Sequence, residues 1–253
     1  MARQTAISIN TIPIGPLGII GMPGCEELTD KIDKYLVKWR KTQASEHAES
    51  IAFFGYQRDT YKIDVSIPRF GSGEGKGVIN ESVRGYDIYI VCDVFNYSCS
   101  YDMYGRKVYM SPDDHFADLK RVISALCSKP KRVSVIMPML YEGRQHKRSS
   151  RESLDCAMAL KELVHLGVEN IITFDAHDQR VQNAIPDKSF ENVMPTYQMI
   201  KALVNNVEDL NVDKDHLMII SPDEGALHRC IYFATQLGVN LGMFYKRRDY
   251  TRV

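Results

Sequence analysis

The chain has 253 residues and a mass of 28.9 kDa, with 44% hydrophobic and 25% charged residues. That composition excludes disordered and fibrous classes and supplies enough chain for one large or two small domains without disulfide or metal staples. Lys and Arg total 32 against 32 Asp and Glu, so no net positive field exists to hold a polyanion, and nucleic acid is not an expected partner. The six cysteines, Cys25, Cys92, Cys99, Cys127, Cys156 and Cys230, show no CxxC spacing and follow no signal peptide; they read as reduced thiols of a cytoplasmic protein. The stretch Ile12 to Gly21 is about half of the ~20 residues a bilayer span needs and is broken by Pro13 and Pro16, so no membrane partner is expected.

In chain order, short apolar or β-branched runs alternate with amphipathic stretches, the pattern of βαβ units and a largely parallel sheet. Leu17 to Ile20 reads as a first strand, and Leu28, Ile32, Tyr35 and Leu36 recur at helical spacing after it. Arg40 to Ser50 is polar and expected on the surface. Strands are predicted at Tyr61 to Ile67 and Asp87 to Cys92, with a loop at RFGSGEGKG, which holds four glycines in nine residues. Phe95 to Met110 has no clear period and reads as an irregular excursion or a hairpin. Pro112 with Asp113 and Asp114 opens a helix through Leu126, where acids face the positive end of the helix dipole.

A strand at Val133 to Met137 comes next, then a helix from Ser153 to Leu166 closed by Gly167, and a strand at Asn170 to Phe174 that delivers DAHDQR at its C-terminal end. After Pro186 the pattern restarts: helix Thr196 to Asn205, strand Leu217 to Ile220, SPDEGALHR opening a helix to Leu237, and strand Leu241 to Tyr245. Residues 1–188 are therefore read as an N-terminal α/β domain, and 189–253 as the start of a C-terminal one.

Five polar clusters are candidates, and four of them are loops rich in small or polar residues directly after predicted strands, where ligands of open α/β sheets bind. RFGSGE offers an aromatic face, a hydroxyl and a carboxylate. RQHKRSSRE concentrates four permanent cations and a histidine in nine residues, and guanidinium forks suit phosphates. In DAHDQR an imidazole between two carboxylates could ligate a cation. SPDEGALHR suits Mg²⁺ or a helix cap equally well, and KRR follows the last strand. Walker A, GxSxG, HExxH and GxGxxG motifs are absent from the sequence.

In this order the clusters resemble those of the ribose-phosphate diphosphokinases (phosphoribosyl diphosphate synthetases) from about Gly18 to Arg248. RFGSGE is similar to the family's RFxDGE turn, with Ser72 where Asp is usual. RQH is similar to its RQD segment, with His146 where Asp is usual. DAHDQRVQNAI resembles DLHxxQIQGFF, SPDEGALHR resembles SPDxGGxxR, and FYKRR resembles the start of the flexible catalytic loop.

The resemblance implies an α/β fold of two phosphoribosyltransferase-like parallel-sheet domains, the second incomplete in this chain. It implies an Mg²⁺-dependent transfer of diphosphate from ATP to ribose 5-phosphate, giving phosphoribosyl diphosphate and AMP. Phe70, Glu74, Arg144 and Gln145 would then meet ATP, His177 and Asp223 the metal, and Lys246 and Arg248 would be catalytic. It further implies a homo-oligomer with adenine sites completed across a subunit boundary. A DDxxxTGGT-type loop for the ribose 5-phosphate has no counterpart in the sequence, so the chain is expected to be part of a longer enzyme. The alternative expectation is a non-catalytic regulatory homologue that assembles with active subunits.

Overall fold

In the computed structural model, residues 13–46 and 57–245 are described. They fall into two compact units, 1–193 and 194–253. The first contains β1 (Leu17–Gly21), α1 (Glu26–Glu46), a short antiparallel pair β2 (Val65–Ser66) and β3 (Val78–Ile79), then β4 (Asp87–Val91). The hairpin β5 (Ser100–Met103) and β6 (Arg106–Tyr109) precedes α2 (Pro112–Ala125), β7 (Arg132–Met137), α3 (Asp155–His165), β8 (Asn170–Phe174) and β9 (Ser189–Val193). Strands β1, β4, β7, β8 and β9 form one parallel sheet in that order.

The period-two alternation of a strand sends neighbouring residues to opposite faces, and both faces are used here. Ile88, Ile90, Val133, Val135, Met137 and Ile171 form one cluster with Phe116, Leu119, Val122 and Ile123 of α2 and with Leu160 and Leu163 of α3. Ile19 and Val91 form another with Cys25 and Tyr61, and Ile32 and Leu36 of α1 pack on it. Each fully buried aliphatic side chain contributes roughly 1.5–3 kcal/mol, so the sheet and its three helices hold together as one core. Ser111 starts α2 with a capping box: its hydroxyl accepts from the Asp114 N–H, and the Asp114 carboxylate accepts from the Ser111 N–H, with Pro112 in the first turn.

The structure departs from the expected elements at three places and, over Phe95 to Met110, decides for the hairpin against the irregular excursion. Helix α1 runs on through Glu46, taking in part of the polar stretch from Arg40, because a polar face is compatible with a solvated helix. The strand expected over Tyr61 to Ile67 is only locally formed: Ile19 N–H donates to Tyr61 O and Ile63 N–H to Ile19 O, 2.8 Å each, and only Val65–Ser66 continues as strand. The Asp33 carboxylate draws that segment toward α1 by accepting from the Tyr61 N–H at 2.7 Å. Phe95 to Met110 carries an ordered hairpin whose turn is Tyr104 (φ 49) and Gly105 (φ 73), the left-handed pair a tight turn between twisted strands demands. Finally, the junction between units follows Val193, not residue 188. Strand β9 pairs with β8 from Asn170↔Ser189 to Phe174↔Val193 and belongs to the first sheet.

The second unit contains α4 (Thr196–Asn206), β10 (Met218–Ser221), a 3-10 turn at Glu224–Ala226, α5 (Leu227–Leu237) and β11 (Asn240–Met243). Strands β10 and β11 pair in parallel, joined through α5, which ends on Gly238 at φ 69. The left-handed residue lets Val239 N–H reach back to Ala234 O at 3.0 Å. Among the described residues no helix is long and apolar enough to cross a membrane.

Candidate functional site

Adjacent strands β7 and β8 end side by side, so the loops that leave their C-terminal ends are neighbours. Each loop turns through a non-glycine residue in the left-handed region, Glu142 (φ 55) and Asp175 (φ 46), a conformation that costs on the order of 1–3 kcal/mol and is retained where surroundings enforce it. The His146 and His177 rings meet there, with centroids 4.9 Å apart and planes tilted by 35°. His146 Nε2 lies 3.4 Å from an Asp178 carboxylate oxygen, and Arg180 donates to the same carboxylate through Nε at 2.9 Å. Those Arg180 hydrogen bonds hold Asp178 well below the usual carboxylate range, against the opposing effect of burial.

Arg144 is exposed beside this pair. Gln145 is half-buried, and its amide donates to Ser153 O at 2.8 Å, closing the loop 146–153 upon itself. The structure thus brings Arg144, Gln145 and His177 to neighbouring loops of the first unit. It adds His146 and joins it to Asp178, one of the two carboxylates that flank His177 in DAHDQR.

Phe70 and Glu74 belong to a second loop, on the far side of the first turn of α2. The turn is tight: Phe70 N–H donates to Glu74 O at 2.9 Å and Gly73 N–H to Phe70 O at 2.8 Å, with Gly73 at φ 92. Phe70 is 56% exposed, so its ring is available to stack on a planar ligand. Ser72 Oγ donates to Glu74 Oε2 at 2.8 Å. A second carboxylate at position 72 would repel Glu74, whereas this hydroxyl orients it. Tyr101 Oη bonds Asp114 at 3.3 Å on one side of the α2 turn, and Tyr141 Oη bonds Asp113 at 2.6 Å on the other.

Beneath the Phe70 loop lies Asp118, whose side chain is 2% exposed. Its oxygens accept from Arg69 Nη2 and, at 2.6 Å, from Arg121 Nη1. Burial raises the Asp118 carboxyl, and the two guanidiniums work against that rise. A pocket of about 320 Å³ adjoins it, lined by Gly24, Glu26, Arg69, Cys99, Tyr101 and Asp118 among others. A larger cavity, about 540 Å³, lies elsewhere, between α1 and the Asp87–Arg132 pair. It carries none of the nominated residues.

Asp223, in the second unit, caps the 3-10 turn: its Oδ1 accepts from Ala226 N–H at 3.0 Å, and Ser221 Oγ donates to Asp223 O at 2.7 Å. Of the two roles open to it from sequence, the cap is the one the geometry displays. Lys246 and Arg248 lie outside the described residues.

Among the described residues no three His, Cys, Asp or Glu side chains cluster as a metal cage. That donor set still fits Mg²⁺ delivered on a nucleotide, because Mg²⁺ keeps its waters and takes one or two protein ligands beside substrate phosphates. Within the first unit, His177 at the end of β8 would be such a ligand.

A parallel sheet with polar loops massed at the strand C-termini defines an α/β protein of the ligand-binding kind. Residues 17–167 match the family described as the N-terminal domain of ribose phosphate pyrophosphokinase, and the chain belongs to that family. It is 26% identical over 190 residues to a ribose-phosphate pyrophosphokinase of Aquifex aeolicus, covering 73% of this chain and 54% of that protein. It is 29% identical over 190 residues to the one of Helicobacter pylori, covering 72% and 52%. The chain therefore spans about half the length of the curated relatives it matches. In fold it is similar to the crystal structure of phosphoribosylpyrophosphate synthetase from Mycobacterium smegmatis, with a TM-score of 0.68 and 20% identity, over 92% of this chain and 65% of that one.

Proposed function

We propose that the chain acts in Mg²⁺-dependent diphosphoryl transfer from ATP to ribose 5-phosphate, yielding phosphoribosyl diphosphate and AMP. The observation that carries this reading is the meeting of Arg144–His146 with His177 at the ends of adjacent strands, in a chain of this family. Such a transfer depends on alignment and on offsetting phosphate charge, with little covalent work for the protein.

In this reading Arg144 holds phosphate oxygens in a guanidinium fork, and the Phe70 ring stacks on adenine while Glu74, set by Ser72, accepts from its exocyclic amine. His177 and Asp223 are each read as Mg²⁺ ligands, and the ion would supply charge neutralisation when bound. Lys246 and Arg248 are read as the catalytic cations. The protein works as a homo-oligomer in the cytoplasm.

The second reading is a non-catalytic homologue that assembles with active subunits. Gln145 favours it, since its amide is engaged with backbone carbonyls of its own loop. One assay separates the two. AMP release that depends on ribose 5-phosphate, and is lost in Arg144→Ala, supports the enzyme; nucleotide binding without release supports the regulatory homologue.

A further inference from the structure

The hairpin β5–β6, within the stretch Phe95 to Met110, lies directly against the loop that carries Phe70 and Glu74. Tyr104 N–H at its tip donates to Gly71 O at 2.9 Å. The Arg69 guanidinium sits over the Tyr101 ring, 4.3 Å from its centroid, while Asp118 of α2 grips the same guanidinium. Hairpin side chains close on Gly73, where a Cβ would come within 2.8 Å of Met103 Sδ and 3.3 Å of Tyr101. The loop is thus contacted at Arg69, Gly71 and Gly73 by one element, the hairpin.

We infer that this hairpin is a positioning element. Through Tyr101, Met103 and the Tyr104 N–H it fixes loop 69–76 within the same chain, in the shape that presents Phe70 and Glu74 to a purine nucleotide. The inference rests on reading that loop as the adenine contact. Tyr101 is its central residue: the ring faces Arg69, and the hydroxyl ties the hairpin to Asp114 at the start of α2. A loop carrying an exposed aromatic ring binds a planar base more tightly when it need not be ordered at the moment of binding. The hairpin supplies that order beforehand.

The test compares wild type, Tyr101→Leu and Tyr101→Phe by amide hydrogen exchange without ligand, and by titration with Mg²⁺ and a non-hydrolysable ATP analogue. In Tyr101→Leu, exchange at the Gly73 and Tyr104 amides is expected to speed up about tenfold and the analogue's Kd to rise about five- to tenfold, in line with a partly desolvated cation–π contact. Amides of β4 and β7 keep their protection. Tyr101→Phe, which retains the ring, restores loop exchange and Kd to within about twofold.

Unchanged loop exchange in Tyr101→Leu overturns the inference, as does faster exchange with an unchanged Kd. Equal losses in Tyr101→Phe and Tyr101→Leu also overturn the role given to the ring. A wild-type chain that binds no nucleotide overturns the underlying functional reading. The ligand-free exchange data tell that failure apart from failure of the anchoring.

Discussion

Both units follow the same strand–helix–strand logic and differ in what they bury. In the first, five parallel strands are faced by α1 on one side and by α2 and α3 on the other, and Ile20, Ile88, Ile90, Leu119 and Val135 have no exposed surface. In the second, two strands with α4 and α5 leave Met218, Ile220, Leu241 and Met243 between 37% and 52% exposed, and among its described residues Ala234 and Val239 are the only buried apolar ones. The lesson is that a βαβ unit sets the strand direction and the C-terminal loop by itself, but needs neighbouring strands to make a core. The loops of the first unit are accordingly rooted in close-packed structure, and that rooting is what a site with strained turns at Glu142 and Asp175 requires.

The largest test of this contrast is a pair of truncations. Leu119→Ala in the first unit should cost about 2–5 kcal/mol, whereas Ile220→Ala in the second should cost less than about 1 kcal/mol. Urea unfolding of the two variants measures both, and equal losses would break the comparison. Next is Asp118→Ala, which strands the Arg69 and Arg121 guanidiniums. Removing one partner of a buried ion pair costs about 3 kcal/mol or somewhat more. An unchanged unfolding midpoint would mean that the triad does not anchor the loop.

The smallest effect concerns thiols. Burial pushes the Cys25 thiol up to about 11 and raises those of Cys92 and Cys156, so at pH 8 almost no thiolate is present at these sites. Cys127, which is exposed, and Cys230, which is half-buried in the second unit, should react with a disulfide reagent first. For Cys25 the raised value means that its rate keeps climbing with pH past 9 toward 11 instead of levelling off. Rapid Cys25 labelling at pH 8 would contradict the packed core.

Much of the framework was legible in the sequence because it is periodic. The stripe Phe116, Leu119, Val122 and Ile123 marks α2, and the β-branched runs mark β4, β7 and β8. Strand β9 was missed because SFENV has one large apolar residue in alternation with polar ones and acquires its identity only by pairing with β8. Parallel-sheet logic placed Arg144 and His177 at strand ends. That their loops touch through His146 depends on the order in which β7 and β8 lie, which no local pattern encodes.

Asp118 is a carboxylate among the buried apolar residues of α2. Its partner Arg69 is 49 positions away, and an unpaired buried carboxylate within such a stripe is the one signal that could have pointed to it. The Gln145 amide, expected from the resemblance to meet ATP, donates to Ser153 O, a contact within its own loop that sequence spacing does not announce.

The central claim is that the strand-end loops of the first unit bind an adenine nucleotide. Equilibrium titration of the chain with Mg²⁺ and a non-hydrolysable ATP analogue tests it most directly, with Arg144→Ala and His177→Ala alongside. The account predicts saturable binding by the wild type and a loss of about tenfold or more in each variant, with thermal midpoints unchanged because both side chains are exposed. Absence of binding, or binding indifferent to both substitutions, would contradict it.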